Sequence, residues 1–329
     1  MITIKEIAKL ANASSSTVSR VINDSGYVSE ETRKRVLNVI EKTGYIPSEH
    51  AKSLRTKKTS VIGVIIPRLS TDTTSRMVNA INDELARKGY QIILTNTNLQ
   101  PEKEIAYIKL LRSRQVDGII LLATNVNEAL TEEVKDLSIP IVAVGQEIPN
   151  VSVIVNNDYE AAKEMTNHMI ENGHRNIAFI GVPESDKAVG IDRRKGYLSA
   201  LKEANIPVNE QWITYANFDY QSGYEAMREI MEQTEKIPTA VLAVTDTIAI
   251  GAMQYLHEKH TAVPQDIAVA GMGNSKVSQY IAPSLTTIDF LNEQTGVKAA
   301  QLILEIINGN KKSPKKVLMK YRMVIRDSV

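Results

Sequence analysis

The sequence predicts a two-part chain: a small head of three helices, then a large α/β body built on parallel sheets. Three observations predict it. Over the first 45 residues, apolar positions recur in short bursts at helical spacing. From residue 61 onward, continuous Val/Ile-rich runs alternate with stretches of helical periodicity. The charge is also divided unevenly. Residues 1–60 carry 11 Lys+Arg against 6 Asp+Glu, a net of +5, and the rest carries 28 against 32, a net of −4. A basic head on a mildly acidic body suggests a polyanion-binding module joined to something else.

Composition narrows the chemistry. A chain of 329 residues allows two or three domains with a substantial core. It has no cysteine, which removes disulfides, thiolate metal sites and cysteine nucleophiles together. The start, MITIKEIAKLANASSS, has no apolar signal region, and no run of about eighteen apolar residues occurs. A soluble cytoplasmic protein is expected.

In the head, Thr3-Ile4-Lys5-Glu6 is a capping-box pattern that opens a helix with Ile4, Ile7, Ala8 and Ala11 on one face. Asn12, tolerant of a left-handed conformation, ends it in a tight turn. A second helix starts near Ser14, with Val18, Val21 and Ile22 as its buried stripe. Ser15, Ser16, Thr17, Ser19 and Arg20 lie on its other face. Ser29 can cap a third helix running through Val36, Leu37 and Ile40 and closed by Gly44. Two short helices joined by a tight turn fit a helix-turn-helix, whose second helix presents its first residues to base edges in the major groove. A generic three-helix bundle with a solvated polar face fits equally, and helix propensity does not separate the two.

Particular residues do. TIKEIAKLANASSSTVSRVIND, VSEETRKRVLNVIEKTGYIP and AKSLR resemble the DNA-binding head of the lactose-repressor (LacI/GalR) regulators. The resemblance implies that Ser15, Ser16 and Arg20 face the major groove. It also implies that Thr3, Ser14, Thr17, Ser19, Asn23, Tyr27 and Thr32 contact base edges or phosphates around it. Residues 1–46 would be this domain and 47–59 a linker, in which Pro47 breaks the preceding helix and Ser48 can cap a new one. The family's hinge-helix leucine, which wedges into the minor groove, matches Leu54, beside Arg55, Lys57 and Lys58.

The body opens with the run Val61–Ile66. Gln91–Asn96, Gly118–Ala123, Ile139–Val144, Ile177–Val182, Ala240–Val244 and Ile267–Ala270 follow. Such runs between helices read as strands buried on both faces, joined by right-handed crossovers into doubly wound layers. About 270 residues exceed one such sheet, so two subdomains are expected. The resemblance supplies their topology, that of periplasmic sugar-binding proteins. An effector-binding and dimerisation domain would span 60–329, with one subdomain from about 60–157 plus 291–319 and the other from 158–290 plus 320–329. One last strand is expected over Leu318–Arg326.

A cleft then lies at the carboxyl ends of both sheets, where α/β proteins bind ligands. The polar residues just past strand ends are the candidates: Arg68, Ser70, Asp72, Thr73, Gln146, Asp186, Arg193, Asp246 and Asn274, with Phe218 as the aromatic plane a sugar ring stacks on. Each can also be an ordinary loop residue or cap, Asp246 in particular as the cap of the helix after it. Arg193, three residues before Gly196-Tyr197, matches the arginine that grips effector hydroxyls in the family, and Phe218 matches its ring-stacking position. There are two departures. Gly273 stands where many relatives carry a sugar-clamping aspartate, and Thr245 where an asparagine is frequent. Both imply more room and a different or larger ligand.

IIPRL, DGIILLAT, VGQ and the GVPESDKAVGIDR stretch are most similar to sucrose-operon repressors, with trehalose-operon repressors next. The implied function is a homodimeric repressor of a sugar-utilisation operon, released from a palindromic operator by a sugar or sugar phosphate, sucrose or its 6-phosphate first. An effector phosphate would pair with Arg68 or Arg193. Alternatives are a trehalose-type repressor, a corepressor-type regulator activated by ligand or phosphoprotein, and a sugar receptor without DNA binding. No heptad tail follows the last strand, so no tetramer built on one is expected. Gly271-Met272-Gly273 is followed by Lys276 where a dinucleotide fingerprint needs glycine, and His257 and His260 lack matching carboxylates. No metal, cofactor, catalytic set or membrane partner is expected.

Overall fold

Thr3 and Glu6 close the first helix reciprocally: the Thr3 backbone N–H donates to Glu6 Oε2 (2.7 Å), and the Glu6 N–H donates to Thr3 Oγ1 (3.4 Å). The computed structural model describes residues 2–45, 58–135, 137–233, 236–309 and 313–329. It divides into two compact units, Met1–Thr59 and Ser60–Val329.

The first unit holds α1 (Ile4–Leu10), α2 (Ser15–Ile22) and α3 (Glu30–Thr43). Asn12 is left-handed at φ +47, Ser14 and Ser29 cap α2 and α3, and Gly44 ends α3 at φ +60. Ile7, Ala8, Ala11, Val18, Val21 and Val36 form one core. Leu37 departs from the expected stripe and is 48% exposed, because its neighbour Val36 holds the inward position. Arg35 Nε donates to the Ala11 carbonyl (2.7 Å), tying α3 to the turn between α1 and α2.

The second unit is built on two six-stranded sheets. The first has the order β11-β5-β4-β3-β1-β2 and is parallel throughout. Its strands are β1 (Val61–Ile66), β2 (Gln91–Asn96), β3 (Gly118–Leu122), β4 (Ile141–Val144), β5 (Ser152–Val155) and β11 (Lys316–Leu318). The second has the order β12-β10-β9-β8-β6-β7, parallel except for β12 against β10. It comprises β6 (Ile177–Gly181), β7 (Ile213–Tyr215), β8 (Ala240–Ala243), β9 (Ala268–Met272), β10 (Thr286–Asp289) and β12 (Arg322–Val324).

Two expectations need correction. The single strand expected over Leu318–Arg326 is two strands, one in each sheet, because the chain crosses between sheets after Leu318. The run Gln91–Asn96 is a strand but an edge one, with Ile93 and Leu94 more than a third exposed, so it is not covered on both faces.

Helices cover both faces. On the first sheet, α4 (Asp72–Ala86) and α11 (Asn292–Ile307) bury Met77, Ile81, Ala299 and Ile303 against Ile62, Val64 and Ile120. The opposite face receives Ile108 of α5 (Pro101–Ser113) and Leu130 of α6 (Glu128–Lys135). Each fully buried Ile or Leu among these contributes roughly 1.5–3 kcal/mol. Around the second sheet lie α7 (Asp158–Glu171), α8 (Arg193–Glu203), α9 (Tyr220–Gln233) and α10 (Asp246–Glu258), and a π-helical turn over Lys187–Asp192 leads into α8. Gly196 lets α8 approach α7 closely, since a Cβ there would strike the Tyr159 carbonyl. His174 is structural, its Nδ1 lying 3.1 Å from Thr239 Oγ1. Among the described residues no helix is long and apolar enough to cross a membrane.

Candidate effector cavity and DNA-reading face

The two sheets present their carboxyl ends to one cavity of about 210 Å³. Residues just past β1, β3, β4, β8 and β9 line it, together with the N-terminal residues of α4 and α10, as expected where strand ends and helix starts meet. Of the sequence-predicted residues, Arg68, Asp72, Thr73, Gln146, Asp186, Arg193, Phe218 and Asp246 are in the lining.

Ser70 and Asn274 are not among the lining residues. Ser70 sits in an exposed turn before α4. Asn274, left-handed at φ +46, turns its side chain into a structural network: Nδ2 donates to Asp289 Oδ2 (3.2 Å), and Oδ1 accepts from Arg326 Nη2 (2.6 Å).

Arg193 opens α8 and is 6% exposed. Its Nε donates to Asp158 Oδ1 (2.7 Å), Nη2 lies 2.6 Å from the same oxygen, and Nη1 donates to the Val244 carbonyl. The guanidinium carbon stands 4.5 Å from the centre of the Phe290 ring. Its charge is therefore neutralised within the wall. Arg76 is likewise paired, with Asp72 (2.9 Å) and Glu293 (3.5 Å). Arg68 differs: its Nη1 donates to the Asn217 carbonyl (3.2 Å), and among the described residues it has no carboxylate partner.

Asp186 caps the π-helical turn, accepting from the Val189 N–H (3.0 Å), and takes a second bond from Gln146 Nε2 (2.7 Å). Burial pushes its carboxyl up to about 6, partly offset by the Val189 N–H and the Arg193 charge. Asp246 is not the cap of α10. Thr245 is, accepting from the Ile248 N–H (3.3 Å), while Asp246 accepts from Thr287 Oγ1 and from the Ser275 N–H (2.6 Å). Gly273, at φ +143, lines the cavity beside it.

Among the described residues of this unit, three hydrogen bonds join the first sheet's side to the second's: Gln146 to Asp186, Arg68 to the Asn217 carbonyl, and Arg76 Nη2 to the Gly273 carbonyl (2.7 Å). Sequence reasoning missed Asp158, Phe290, Asn156, Asn292 and Ser275 in the lining. Reading the SVIV and TTID runs as strands would have found the first four, because all follow those strands' carboxyl ends.

On the head, Ser15, Ser16 and Arg20 are exposed along α2. The Arg20 stem passes Gly26, and among the described residues its guanidinium has no ion pair, whereas Arg33 is held by Asp24 at 2.7 Å. Several polar neighbours serve local structure: Thr3 is bonded to Glu6, Ser14 Oγ lies 2.7 Å from Ser16 Oγ and 2.8 Å from Thr17 Oγ1, and Asn23 Nδ2 donates to the Ser19 carbonyl (2.6 Å). Thr32 Oγ1 accepts from Ser29 (2.9 Å), and Tyr27 is 89% exposed. Leu54 lies outside the described residues.

Comparison with known proteins agrees with both units. Residues 59–327 match the family described as periplasmic binding proteins and sugar binding domain of LacI family, and residues 3–48 match bacterial regulatory proteins, lacI family. The HTH-type transcriptional repressor PurR of Actinobacillus pleuropneumoniae serotype 3 (strain JL03) is 36% identical over 333 residues, covering 100% of this chain and 98% of that protein. Catabolite control protein A of Priestia megaterium is 34% identical over 333 residues, with 99% of each covered. The structure of a transcriptional regulator CelR–cellobiose complex is similar at a TM-score of 0.77 and 27% identity, with 100% of both chains covered. None of these three carries the sucrose or trehalose name to which the motifs pointed. The match over nearly the whole length shows that this chain belongs to the LacI family, as a DNA-binding transcriptional repressor and not an enzyme.

Proposed function

We propose that the protein is a cytoplasmic, homodimeric repressor of a sugar-utilisation operon, released from a pseudo-palindromic operator by a sugar or sugar-phosphate effector, sucrose or its 6-phosphate first. Residues 1–46 act as the DNA-binding domain, 47–59 as the hinge and 60–329 as the effector and dimerisation domain. Ser15, Ser16 and Arg20 read base edges in the major groove, and Ser14, Thr17, Ser19, Asn23, Tyr27 and Thr32 support them. A two-fold protein reads two half-sites.

The observation that carries the effector reading is the composition of the cavity wall. Phe218 offers a ring face, Gln146 and Asp186 offer hydrogen-bonding groups, and Arg68 is a cation without a carboxylate partner among the described residues. Of the two arginines considered for an effector phosphate, Arg68 is favoured, since Arg193 is already paired with Asp158. The related CelR, whose structure is that of a cellobiose complex, supports a sugar as the effector. Hundredfold induction requires a coupling of about 2.7 kcal/mol between effector and operator.

The second reading is a corepressor-type regulator activated by ligand or phosphoprotein, and the names of the relatives, a transcriptional repressor PurR and a catabolite control protein A, do not point to a sugar inducer. Fluorescence anisotropy on a palindromic site from the chain's own upstream region separates the two. It is titrated at fixed salt with sucrose, sucrose 6-phosphate, fructose and trehalose 6-phosphate, because salt alone moves such affinities by orders of magnitude. Release by one sugar supports the induced repressor. Tightening supports the second reading, and no response to any of the four removes the sugar assignment.

A further inference from the structure

We propose that Arg76 is a positioning residue of the repressor: a strut that holds the first sheet's side of the second unit against the second sheet's side, and so sets how readily their arrangement changes. Its Nη2 donates to the Gly273 carbonyl (2.7 Å), from one side to the other. It stands apart from the other two cross-sheet bonds. Gln146, Asp186 and Arg68 all line the cavity, where a ligand can displace them from one another. Arg76 is outside the lining, and its side chain is only 11% exposed. A charge-assisted bond in such a place is stronger than one in open water.

Both ends of the strut are fixed. Arg76 leaves α4 with Asp72, one turn earlier, 2.9 Å from its Nε. Glu293, in the first turn of α11, lies 3.5 Å from Nη1. The two helices pack closely here, since a Cβ on Gly296 would strike the Met77 carbonyl. Carboxylates from two packed helices thus orient the guanidinium and leave Nη2 to reach across. On the other side, residues 273–275 are pinned by their own N–H groups. Gly273 donates to the Ile288 carbonyl (2.6 Å), Asn274 to Thr287 Oγ1 (3.2 Å) and Ser275 to Asp246 Oδ2 (2.6 Å). With all three N–H groups bonded to the second sheet's side, Gly273 at φ +143 turns its carbonyl to Arg76, a backbone conformation that favours glycine.

A contact between two rigid supports is made in one arrangement of the sheets and lost in another, because packed elements do not stretch continuously. A ligand in the cavity breaks it only by moving the sheets, and must supply the worth of the bond as differential affinity for the second arrangement. Arg76 therefore adds to the threshold of the response while reading neither the ligand nor the DNA. This role holds for a sugar and for any other ligand of the cavity.

The test reads the arrangement itself, on the full chain. The sequence has no cysteine, so one introduced thiol is the sole reporter. Met272→Cys places it at the end of β9, across the strut from α4, at a buried residue of the cavity wall. Thr166→Cys, fully buried in α7, reports unfolding instead. Each is labelled with iodoacetamide with and without Arg76→Met, which removes the charge and the donors. The expected result is labelling about tenfold faster in the Met272→Cys chain when Arg76→Met is added, and an unchanged rate in the Thr166→Cys chain. A saturating palindromic duplex from the chain's own upstream region should then change the rate in the Met272→Cys, Arg76→Met chain by threefold or more, while random DNA leaves it unchanged. Slowing assigns the arrangement described here to the operator-bound repressor, and speeding assigns it to the released one. Equal labelling of Met272→Cys with and without Arg76→Met overturns the strut. So does equal acceleration in both reporter chains, which makes Arg76 a stability residue only. A rate indifferent to operator overturns the positioning role. Arg76→Met leaves Asp72 and Glu293 without their shared cation, so Arg76→Met with Glu293→Gln serves in the same comparison if the single variant fails to fold.

Discussion

Gln146 Nε2 donates to Asp186 Oδ1 at 2.7 Å, so a residue past the end of β4 is bonded directly to one past the end of β6. The acceptor is a buried carboxyl pushed up to about 6, against an ordinary value of 3.8. The folded state thus holds this proton more tightly than the unfolded chain does. Its contribution to stability is present below about pH 4 and is lost as pH rises through about 6.

Asp186→Asn removes that dependence while keeping an acceptor for Gln146 and for the Val189 N–H. The variant is expected to be more stable than the parent at pH 7, by about 2–3 kcal/mol at most, and equal to it near pH 4. Urea unfolding across pH 4–8 reads this directly. An unchanged slope between pH 4 and 6 would remove Asp186 as its source.

Arg193→Ala acts on stability before it acts on binding. It leaves Asp158 buried and without its cation, a change that costs about 3–5 kcal/mol. Adding Asp158→Asn should recover most of the loss, because the two residues form one unit. Denaturation of the single and double variants measures this. Full additivity of the two losses would show that the ion pair is not what holds the side chains. In the double variant, operator binding should persist while the effector response is lost.

The alternation of apolar runs and helical stretches made the body legible, and so did the capping residues of the head. What escaped was set by length and by backbone geometry. The strands Ser152–Val155 and Thr286–Asp289 have four residues each, too few to stand out from the loops beside them. Asp158, Phe290 and Asn292 were lost with them, although they lie in the cavity wall. Asn274 and Ser275 show the limit from the other side. Both follow β9, but Gly273 at φ +143 and Asn274 at φ +46 turn the chain so that Ser275 lines the cavity and Asn274 does not. Residue types do not specify that turn. The alternative reading of Asp246 as a helix cap was not met for a related reason: Thr245 and Asp246 are both competent caps, and the bond from Thr287 to Asp246 accompanies the choice of Thr245.

Arg20→Ala should weaken operator binding by about 1–3 kcal/mol and relax preference at one base pair, leaving sugar affinity unchanged. The side chain is free to do this because it has no ion pair among the described residues, unlike Arg33. Competition binding on operator and on random DNA distinguishes the roles. Equal losses on both would make Arg20 a phosphate contact.

Arg68→Gln addresses the charge of the effector. Arg68 lines the cavity with one bond to the Asn217 carbonyl and, among the described residues, no carboxylate partner, so its charge is available to a ligand. Glutamine keeps an amide donor of shorter reach and removes the charge. If the effector is phosphorylated, the variant should lose tenfold or more in affinity for sucrose 6-phosphate, because a charge-assisted bond is about twice as strong as a neutral one. Its affinity for unphosphorylated sucrose should change by no more than about threefold. Calorimetric titration of both sugars into parent and variant gives the comparison. Equal losses for the two sugars would assign Arg68 to holding the Asn217 loop, and the phosphate reading of the cavity would be withdrawn.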